Sequence, residues 1–296
     1  MLGRFAWSVL GFNVIVILMG AVVRATGSGA GCGASWPTCD GQVIPTEAAT
    51  ATWIEFSHRA VSGVALLAVF VLVAWIFRST DRGDLTRRAA GWSLVAILSE
   101  AAIGAAIVLF EWVADDSSLA RLVAVPLHLV NTFLLLASLT ITAWWIGHRP
   151  ASAPVVPAAI KWAGIGLLVV AATGSVTALA DTLFPAASLA EGIARDFAGG
   201  TLLTQVRVVH PVVATLMGSY VAFLGLTRAE PGARQKIGGV MAAIVGIQIF
   251  AGIANIVLLT PLWLQIVHLA LADGLWIMFV LFAVMVPASD RQVAPV

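Results

Sequence analysis

Long apolar segments, separated by short polar ones, account for most of the chain. A bilayer core of roughly 30 Å requires about 20 apolar residues in helical conformation, because lipid cannot hydrogen-bond to an irregular backbone. Segments of that length with few or no charges recur along the whole sequence and predict membrane-spanning helices. They cover residues 5–23, 60–77, 89–110, 122–147, 162–180, 208–227 and 237–272.

The last of these segments is too long for a single span. Thr260-Pro261 lies inside it, and proline disrupts a helix interior but is tolerated at a helix start. The segment therefore divides into spans of about 237–259 and 262–286, which gives eight spans in total. The first apolar segment is long for a signal peptide, so we interpret it as a retained helix.

Composition supports a membrane protein. The 296 residues are 60% hydrophobic and only 10% charged, whereas a soluble domain carries about 25% charged residues. The net charge of +1 provides no basic surface for nucleic acid. We therefore predict an all-α, multi-pass protein of the cell membrane in contact with the lipid bilayer and exclude a nucleic-acid partner.

The distribution of Lys and Arg predicts the orientation. With a cytoplasmic N-terminus and eight spans, both termini are cytoplasmic and residues 25–51 and 181–206 form long outer loops. The cytoplasmic segments then contain most of the 16 basic residues, namely Arg4, Arg78, Arg82, Arg87, Arg88, Arg149, Lys161, Arg228, Arg234, Lys236 and Arg291.

Polar positions recur between the two halves of the chain. Each half has four spans and a long outer loop after its first span. Residues 100–104, Glu-Ala-Ala-Ile-Gly, align with 248–252, Gln-Ile-Phe-Ala-Gly. Four spans return the chain to the same side, so the two halves insert in parallel. We predict two parallel-repeat four-helix bundles, one formed by residues 1–150 and the other by 151–296.

Four histidines lie near the outer starts of spans, namely His58, His128, His210 and His268. Ionisable residues inside a membrane are costly and usually functional. Two histidines at one depth in each half suit a haem iron held from both faces. This predicts one haem for His58 with His128 and another for His210 with His268. Histidines that only pack between helices are the alternative, and a zinc or copper site would need more ligands close together.

Acidic residues distinguish the two halves. Glu55 lies three residues before His58 and shares its helical face, whereas Arg207 holds the matching place before His210. This suggests chemistry in the first half and a permanent cofactor in the second, unless Glu55 only caps its helix or pairs with Arg59. Glu100 lies in the middle of its span, as a proton-path residue or a structural acid.

Five further polar residues lie within the predicted spans or at their ends. We expect Asp273 to form a hydrogen bond within the helix bundle. Four arginines at outer span ends can bind haem propionates or act as interfacial anchors: Arg24, Arg59, Arg121 and Arg207.

Both cysteines lie in the first outer loop. Six residues separate Cys32 from Cys39, which allows a disulfide on the oxidising side of the membrane. The pair is either a structural bridge or a redox-active one above the first-half site.

Together these motifs resemble the haem A synthase family. The resemblance is carried by Arg24-Ala-Thr-Gly-Ser-Gly-Ala-Gly-Cys32, Trp36-Pro-Thr-Cys39 and Glu55-Phe-Ser-His58-Arg59, and by the three later histidines. It covers essentially the whole chain, because the eight-span layout also matches.

The resemblance implies a function for each motif. The family oxidises the C8 methyl group of haem O to a formyl group and so makes haem A for terminal oxidases. His58 and His128 would then ligate the substrate haem O, and His210 and His268 a haem b cofactor. Glu55 matches the family's functional glutamate, and Cys32 and Cys39 match its first-loop disulfide. A second cysteine pair, found in some members, is absent from residues 181–206.

Partners follow from this reaction. A haem O synthase is expected to supply the substrate, whereas the electron donor and any homo-oligomer cannot be read from the sequence. The main alternative function is a non-enzymatic di-haem cytochrome b, which would use the same histidines without Glu55. A transporter would place polar residues at the membrane midplane rather than at the outer level.

Overall fold

The computed structural model describes residues 1–46, 48–198, 201–229 and 231–285, and there the chain is built from helices. A 3₁₀ turn at Ser28–Ala30 follows the first helix. The α-helices are α1 (Leu2–Ala25), α2 (Thr50–Ser79), α3 (Leu85–Leu109), α4 (Leu119–His148), α5 (Ala158–Leu183), α6 (Leu189–Ala198), α7 (Leu202–Val206), α8 (Val209–Thr227), α9 (Ala233–Val257) and α10 (Leu262–Val284).

Within the described residues, eight helical segments are long and apolar enough to cross a membrane. This confirms the predicted number of spans. The sixth segment runs from Leu203 to Thr227, across α7 and α8. The predicted end of the eighth span at 286, and Arg291, lie outside the described residues.

Local sequence explains several helix ends. The break at Thr260-Pro261 is confirmed, because α9 ends at Val257 and α10 begins directly after Pro261. Asp84 caps α3 by accepting a hydrogen bond from the backbone N–H of Thr86. Side-chain oxygens at this position satisfy amides that have no partner within the helix.

Segment 181–206, predicted as an outer loop, contains more helix than the sequence analysis predicted. Helix α5 continues to Leu183, and α6 and α7 follow. Leu189, Ile193 and Phe197 recur every four residues along α6 and are exposed. This spacing is typical of a one-sided apolar helix, a signal that charged neighbours obscured in the search for membrane spans.

The helices pack in two groups of four. In the first group α1 contacts α2, α2 contacts α3, α3 contacts α4, and α4 contacts α1. In the second group α5, α8, α9 and α10 contact each other in the same cyclic order. In this arrangement α2 and α4 occupy opposite corners of one group, and α8 and α10 occupy opposite corners of the other.

The two groups meet through α1 and α4 on one side and α5 and α10 on the other. One continuous hydrophobic core crosses this boundary. The Trp276 indole N–H in α10 donates a 2.6 Å hydrogen bond to the backbone oxygen of Phe133 in α4, and the two rings pack together. Buried tryptophan needs such a partner, so this contact fixes how the groups are aligned.

Candidate functional site

The four predicted ligand histidines lie at one end of the helix bundle. Each lies within the first three turns of its helix or span: His58 in α2, His128 in α4, His210 in the α7–α8 span and His268 in α10. Helices α1, α3, α5 and α9 end where these begin. The loop 26–49 also lies at this end, so histidines and cysteines share one region of the molecule.

Pairs of histidines approach each other within each group. His58 and His128 are close enough for an electrostatic interaction, and so are His210 and His268. Each pair stands on helices at opposite corners of its group. All four side chains are half-buried. The structure thus places the two histidines of each predicted pair in the same helix group, and their pairing around an iron stays a prediction.

Each histidine also faces a glycine on the preceding helix. A methyl group added at Gly20 would lie 3.0 Å from Cε1 of His58, and one added at Gly174 would lie 2.9 Å from Cε1 of His210. The corresponding distances are 3.6 Å at Gly104 for His128 and 3.4 Å at Gly252 for His268. The glycines create room for imidazole rings between closely packed helices.

In the first group, the imidazole nitrogens are almost free of protein partners. Nδ1 of His58 is buried without a hydrogen bond. Nδ1 of His128 lies 3.2 Å from Oε1 of Glu100 but is not aligned for a hydrogen bond. Within the described part of the chain, no hydrogen bond engages Nε2 of either ring, which leaves both nitrogens available to a ligand.

In the second group, polar side chains contact the imidazole rings. The Thr173 hydroxyl lies 3.2 Å from Nδ1 of His210. The Gln248 amide nitrogen lies 3.3 Å from Nε2 of His268 and donates to that residue's backbone oxygen over 3.1 Å. Iron binding through Nε2 of His268 therefore requires the Gln248 contact to open.

Glu55 is buried between the first loop and α2. Oε2 accepts a 2.8 Å hydrogen bond from the backbone N–H of Cys32, and Oε1 accepts from Nε of Arg59 at 3.0 Å and from its Nη2. Nη1 of Arg59 donates to the backbone oxygens of Ser35 and Thr38. Cys32 and Cys39 form a disulfide. The predicted Glu55–Arg59 pair is therefore real, and it also anchors the cysteine loop.

The predicted propionate partners already have protein partners. Besides Arg59, Arg24 donates to Ala178, Thr182 and Gln265 of the second group. Nη1 of Arg121 donates to the backbone oxygens of Ala114 and Asp116.

Arg207 pairs with Asp181 at 3.2 Å and donates to two backbone oxygens near the end of α5. These contacts stabilise the fold. A role for any of the arginines in binding haem propionates stays a prediction.

One expectation for the acidic residues was wrong. Asp273 was expected to form a hydrogen bond within the bundle, but it is fully buried and neither carboxyl oxygen has a partner in the described part of the chain. The side chains around it on α10 are apolar, including Leu275 and Trp276. Position in a helix could not reveal this lack of a partner.

Sequence analysis also missed several side chains of the site. Asn131 and Thr132 follow His128 by three and four residues and contact Glu100 on the adjacent helix α3. The glycines facing the histidines were not recognised as part of the site. The sequence contained a signal for them, because each glycine lies on a neighbouring helix at the same depth as its histidine.

The first-group residues fit a haem better than a bare metal ion. Two half-buried histidines with available nitrogens lie on helices at opposite corners of the group, a placement that suits two protein ligands for one haem iron. In the described residues, no group of three or more His, Cys, Asp or Glu side chains is placed to hold a metal ion. Each histidine pair could supply two ligands to an iron, and a porphyrin would supply the others.

Similarity to known proteins is consistent with this site. The chain is 44% identical over 291 residues to a Thermus thermophilus protein named protoheme IX farnesyltransferase, covering 95% of this chain and 48% of that protein. A protein named Heme A synthase from Alkalihalophilus pseudofirmus is 36% identical over 152 residues, covering 50% of this chain and 48% of the relative.

A second Heme A synthase, from Halalkalibacterium halodurans, is 43% identical over 97 residues and covers 33% of each chain. The chain thus matches half or less of the length of these relatives. The family model described as cytochrome oxidase assembly protein, COX15-CtaA, matches residues 3–280. With nearly the whole chain matched, this multi-pass membrane protein belongs to the COX15-CtaA family of cytochrome oxidase assembly proteins.

Proposed function

We propose that this protein is a haem A synthase, an oxidoreductase that converts the C8 methyl group of haem O to a formyl group. The observation that carries the proposal is the first-group site. There a buried carboxylate, Glu55, lies one helical turn from His58. His58 and His128 lie on opposite helices of the group, and neither Nε2 atom has a hydrogen bond within the described residues. Membership in the family and the similarity to proteins named Heme A synthase support the same reaction.

Each residue has a distinct task in this proposal. His58 and His128 bind the iron of the substrate haem and orient its edge. A haem supplies the redox chemistry that an unactivated methyl group requires. Glu55 stabilises positive charge near the reacting methyl group or accepts a proton from water. Oε1 accepts from two nitrogens of Arg59, whereas Oε2 accepts only from the Cys32 N–H and has a lone pair left for this task.

The second group would hold a permanent haem b through His210 and His268. The Gln248 contact to His268 would open when that haem binds. Arg207 stands where the first group has Glu55, so the second group lacks a carboxylate beside its first histidine. This asymmetry supports chemistry in the first group and electron transfer in the second.

We further propose that residues 1–150 and 151–296 are parallel repeats in the cell membrane. The matching cyclic order of helices in the two groups supports this arrangement. The excess of Lys and Arg on one side supports cytoplasmic termini. The histidines and the cysteine loop would then face the outside, where a Cys32–Cys39 disulfide is stable.

A haem O synthase is the proposed partner. The Thermus thermophilus relative is named protoheme IX farnesyltransferase, and more than half of its length lies outside the match to this chain. A chain joined to the enzyme that makes its substrate would explain this length.

The test is haem extraction and chromatography from cells that make this protein together with a haem O synthase. We expect haem A with the wild type, and haem O or an alcohol intermediate with Glu55→Ala. If both forms carry only haem b and no haem A is made, the synthase proposal is wrong. That result would favour the di-haem electron-transfer cytochrome.

A further inference from the structure

A polar network on α3 and α4 surrounds one side of His128. Glu100 is at its centre: the Asn131 amide nitrogen donates to its Oε2 over 2.6 Å, and the Thr132 hydroxyl contacts its Oε1. The Thr132 hydroxyl also lies 2.9 Å from the backbone oxygen of His128. The network therefore connects the carboxylate with the ligand histidine through both side chain and backbone.

The orientation of this network is fixed from outside. The backbone oxygen of Ala96 can only accept and lies 3.0 Å from the Asn131 amide nitrogen, so this nitrogen points towards Ala96 and Glu100. The Ser99 hydroxyl lies 2.7 Å from the other amide atom, Oδ1. A carboxylate only accepts hydrogen bonds. The network therefore fixes the Glu100 carboxylate beside the imidazole of His128, where it can accept a hydrogen bond.

Nδ1 of His128 is the one polar atom beside this network that does not yet form a hydrogen bond among the described residues. Nδ1 is buried, lies 3.2 Å from Oε1 of Glu100, and has no other partner in the described residues. When Nε2 of a histidine binds a metal, Nδ1 carries the proton and donates it to a carboxylate, carbonyl or water. A small rotation of the ring would align Nδ1–H of His128 with the Glu100 carboxylate.

The second group has no corresponding carboxyl group beside His268 in the aligned segment. Gln248 occupies the place of Glu100 in the aligned segments, and Leu271 and Ala272 follow His268 where Asn131 and Thr132 follow His128. Oε1 of Gln248 is buried without a partner, and its amide nitrogen rather than an acceptor faces the histidine ring. One histidine pair thus has a carboxyl group behind it and the other has none.

We infer that Glu100, held by Asn131 and Thr132, is a positioning residue that makes His128 bind haem iron through Nε2 and increases its electron donation to that iron. The inference rests on the proposed haem site of the first group. A carboxylate behind a ligand histidine fixes the tautomer and ring orientation and raises ligand basicity. Stronger donation favours ferric iron, so the first-group haem has a lower reduction potential than it would have with a neutral acceptor.

The test uses the full chain, purified in detergent and loaded with ferric protohaem. The readouts are haem bound per protein, the low-spin ferric signals in electron paramagnetic resonance, and the reduction potentials from a redox titration. We expect Glu100→Gln to retain both haems but to raise one potential and shift one low-spin signal. Thr132→Val should move both readouts in the same direction and by less.

Glu100→Leu should weaken the low-spin signal of one haem, because nothing then orients Nδ1. The matched control is Asp115→Asn, which removes the same charge from an exposed residue of the α3–α4 loop and should leave all readouts unchanged. If Glu100→Leu does not fold, Glu100→Gln and Thr132→Val still decide the question.

His128→Ala separates this inference from the proposed function. If it removes one low-spin haem while the Glu100 variants leave potentials and signals unchanged, the positioning role is wrong and the haem site stands. If His128→Ala changes neither haem content nor signals, haem binding by His128 is itself wrong, and the role of Glu100 falls with it.

Discussion

The backbone N–H of Cys32 donates a 2.8 Å hydrogen bond to Oε2 of Glu55. This contact joins the disulfide loop to the carboxylate that is proposed to act on the substrate. Arg59 reinforces it, because its guanidinium bridges Glu55 and two loop carbonyls. The position of the carboxylate and the conformation of the loop are therefore one structural unit.

The first prediction concerns Glu55→Gln. The neutral amide keeps the shape of the side chain but not its charge, so formation of haem A should fall by about 10²-fold or more. The free energy of unfolding should fall by about 1–3 kcal/mol, because a buried hydrogen-bond network is disturbed. Haem chromatography and thermal unfolding in detergent measure the two effects.

Glu191→Gln is the matched control for this change. Glu191 forms the same i,i+4 pair with Arg195, but on the exposed surface of α6. Both readouts should stay near wild type. Equal haem A production by Glu55→Gln and Glu191→Gln would contradict a catalytic role for Glu55.

The second prediction concerns the glycines that face the histidines. Gly20→Ala and Gly174→Ala bring a methyl group within 3.0 Å of an imidazole carbon, so the ring must move. Haem binding at the affected site should weaken by about 10-fold, as disturbing the surroundings of a ligand does. Gly104→Ala, with a 3.6 Å contact, should bind haem as the wild type does.

Haem-to-protein ratio across a titration measures this effect. Gly63→Ala, where an added methyl group meets nothing within 4 Å, controls for the substitution itself. Unchanged binding in Gly20→Ala and Gly174→Ala would mean that these rings do not hold the iron.

The third prediction addresses the disulfide. Replacing both Cys32 and Cys39 by Ser opens a short loop, and the loop-closure model gives a loss of stability of about 2–3 kcal/mol. Glu55 contacts the backbone of Cys32 rather than its sulfur. Haem A formed per folded molecule should therefore be retained. Its complete loss in a folded double variant would instead support a redox-active pair.

The fourth prediction concerns Asp273. Its carboxyl group is fully buried without a hydrogen-bond partner among the described residues, and such burial costs about 1–3 kcal/mol. Asp273→Leu should raise the midpoint of thermal unfolding. Asp115→Leu, at an exposed site, should leave it nearly unchanged. A lower midpoint for Asp273→Leu would show that the carboxyl group has a partner in the membrane-embedded protein.

Apolar periodicity predicted the membrane helices well, because lipid leaves a spanning backbone no alternative to helix. The number of spans and the break at Thr260-Pro261 follow from this constraint. Helices α6 and α7 were not predicted, because charges interrupt the short apolar pattern of α6 and α7 has only five residues. Helix ends outside the membrane depend on local caps, such as Asp84, which composition does not reveal.

The site was predictable in its residue types but not in its contacts. Histidine spacing indicated which rings approach each other, because helix depth follows from sequence position. The Glu100 network depends on how α3 and α4 rotate against each other, and that rotation is set by packing over the whole helix. The same holds for Asp273, whose lack of a partner is a property of four neighbouring helices.

Arg24 provides the last prediction. Its guanidinium, at the end of α1, donates to the Ala178 backbone oxygen and Thr182 hydroxyl of α5 and to Oε1 of Gln265 in α10. Arg24→Lys keeps the charge but loses this fork of hydrogen bonds, so stability should fall by about 1–3 kcal/mol. Arg4→Lys, exposed on the same helix, should have no effect.

The Arg24 contact also has a consequence for communication within the molecule. The residue stands immediately before the cysteine loop, yet its partners belong to the other helix group. A movement of α5 or α10 on haem binding would therefore displace the base of the loop that holds Glu55. Thermodynamic linkage makes such an effect mutual, so occupancy of one haem site would alter the haem affinity of the other. The hydrogen bonds of Arg24 would be the connection between the two sites.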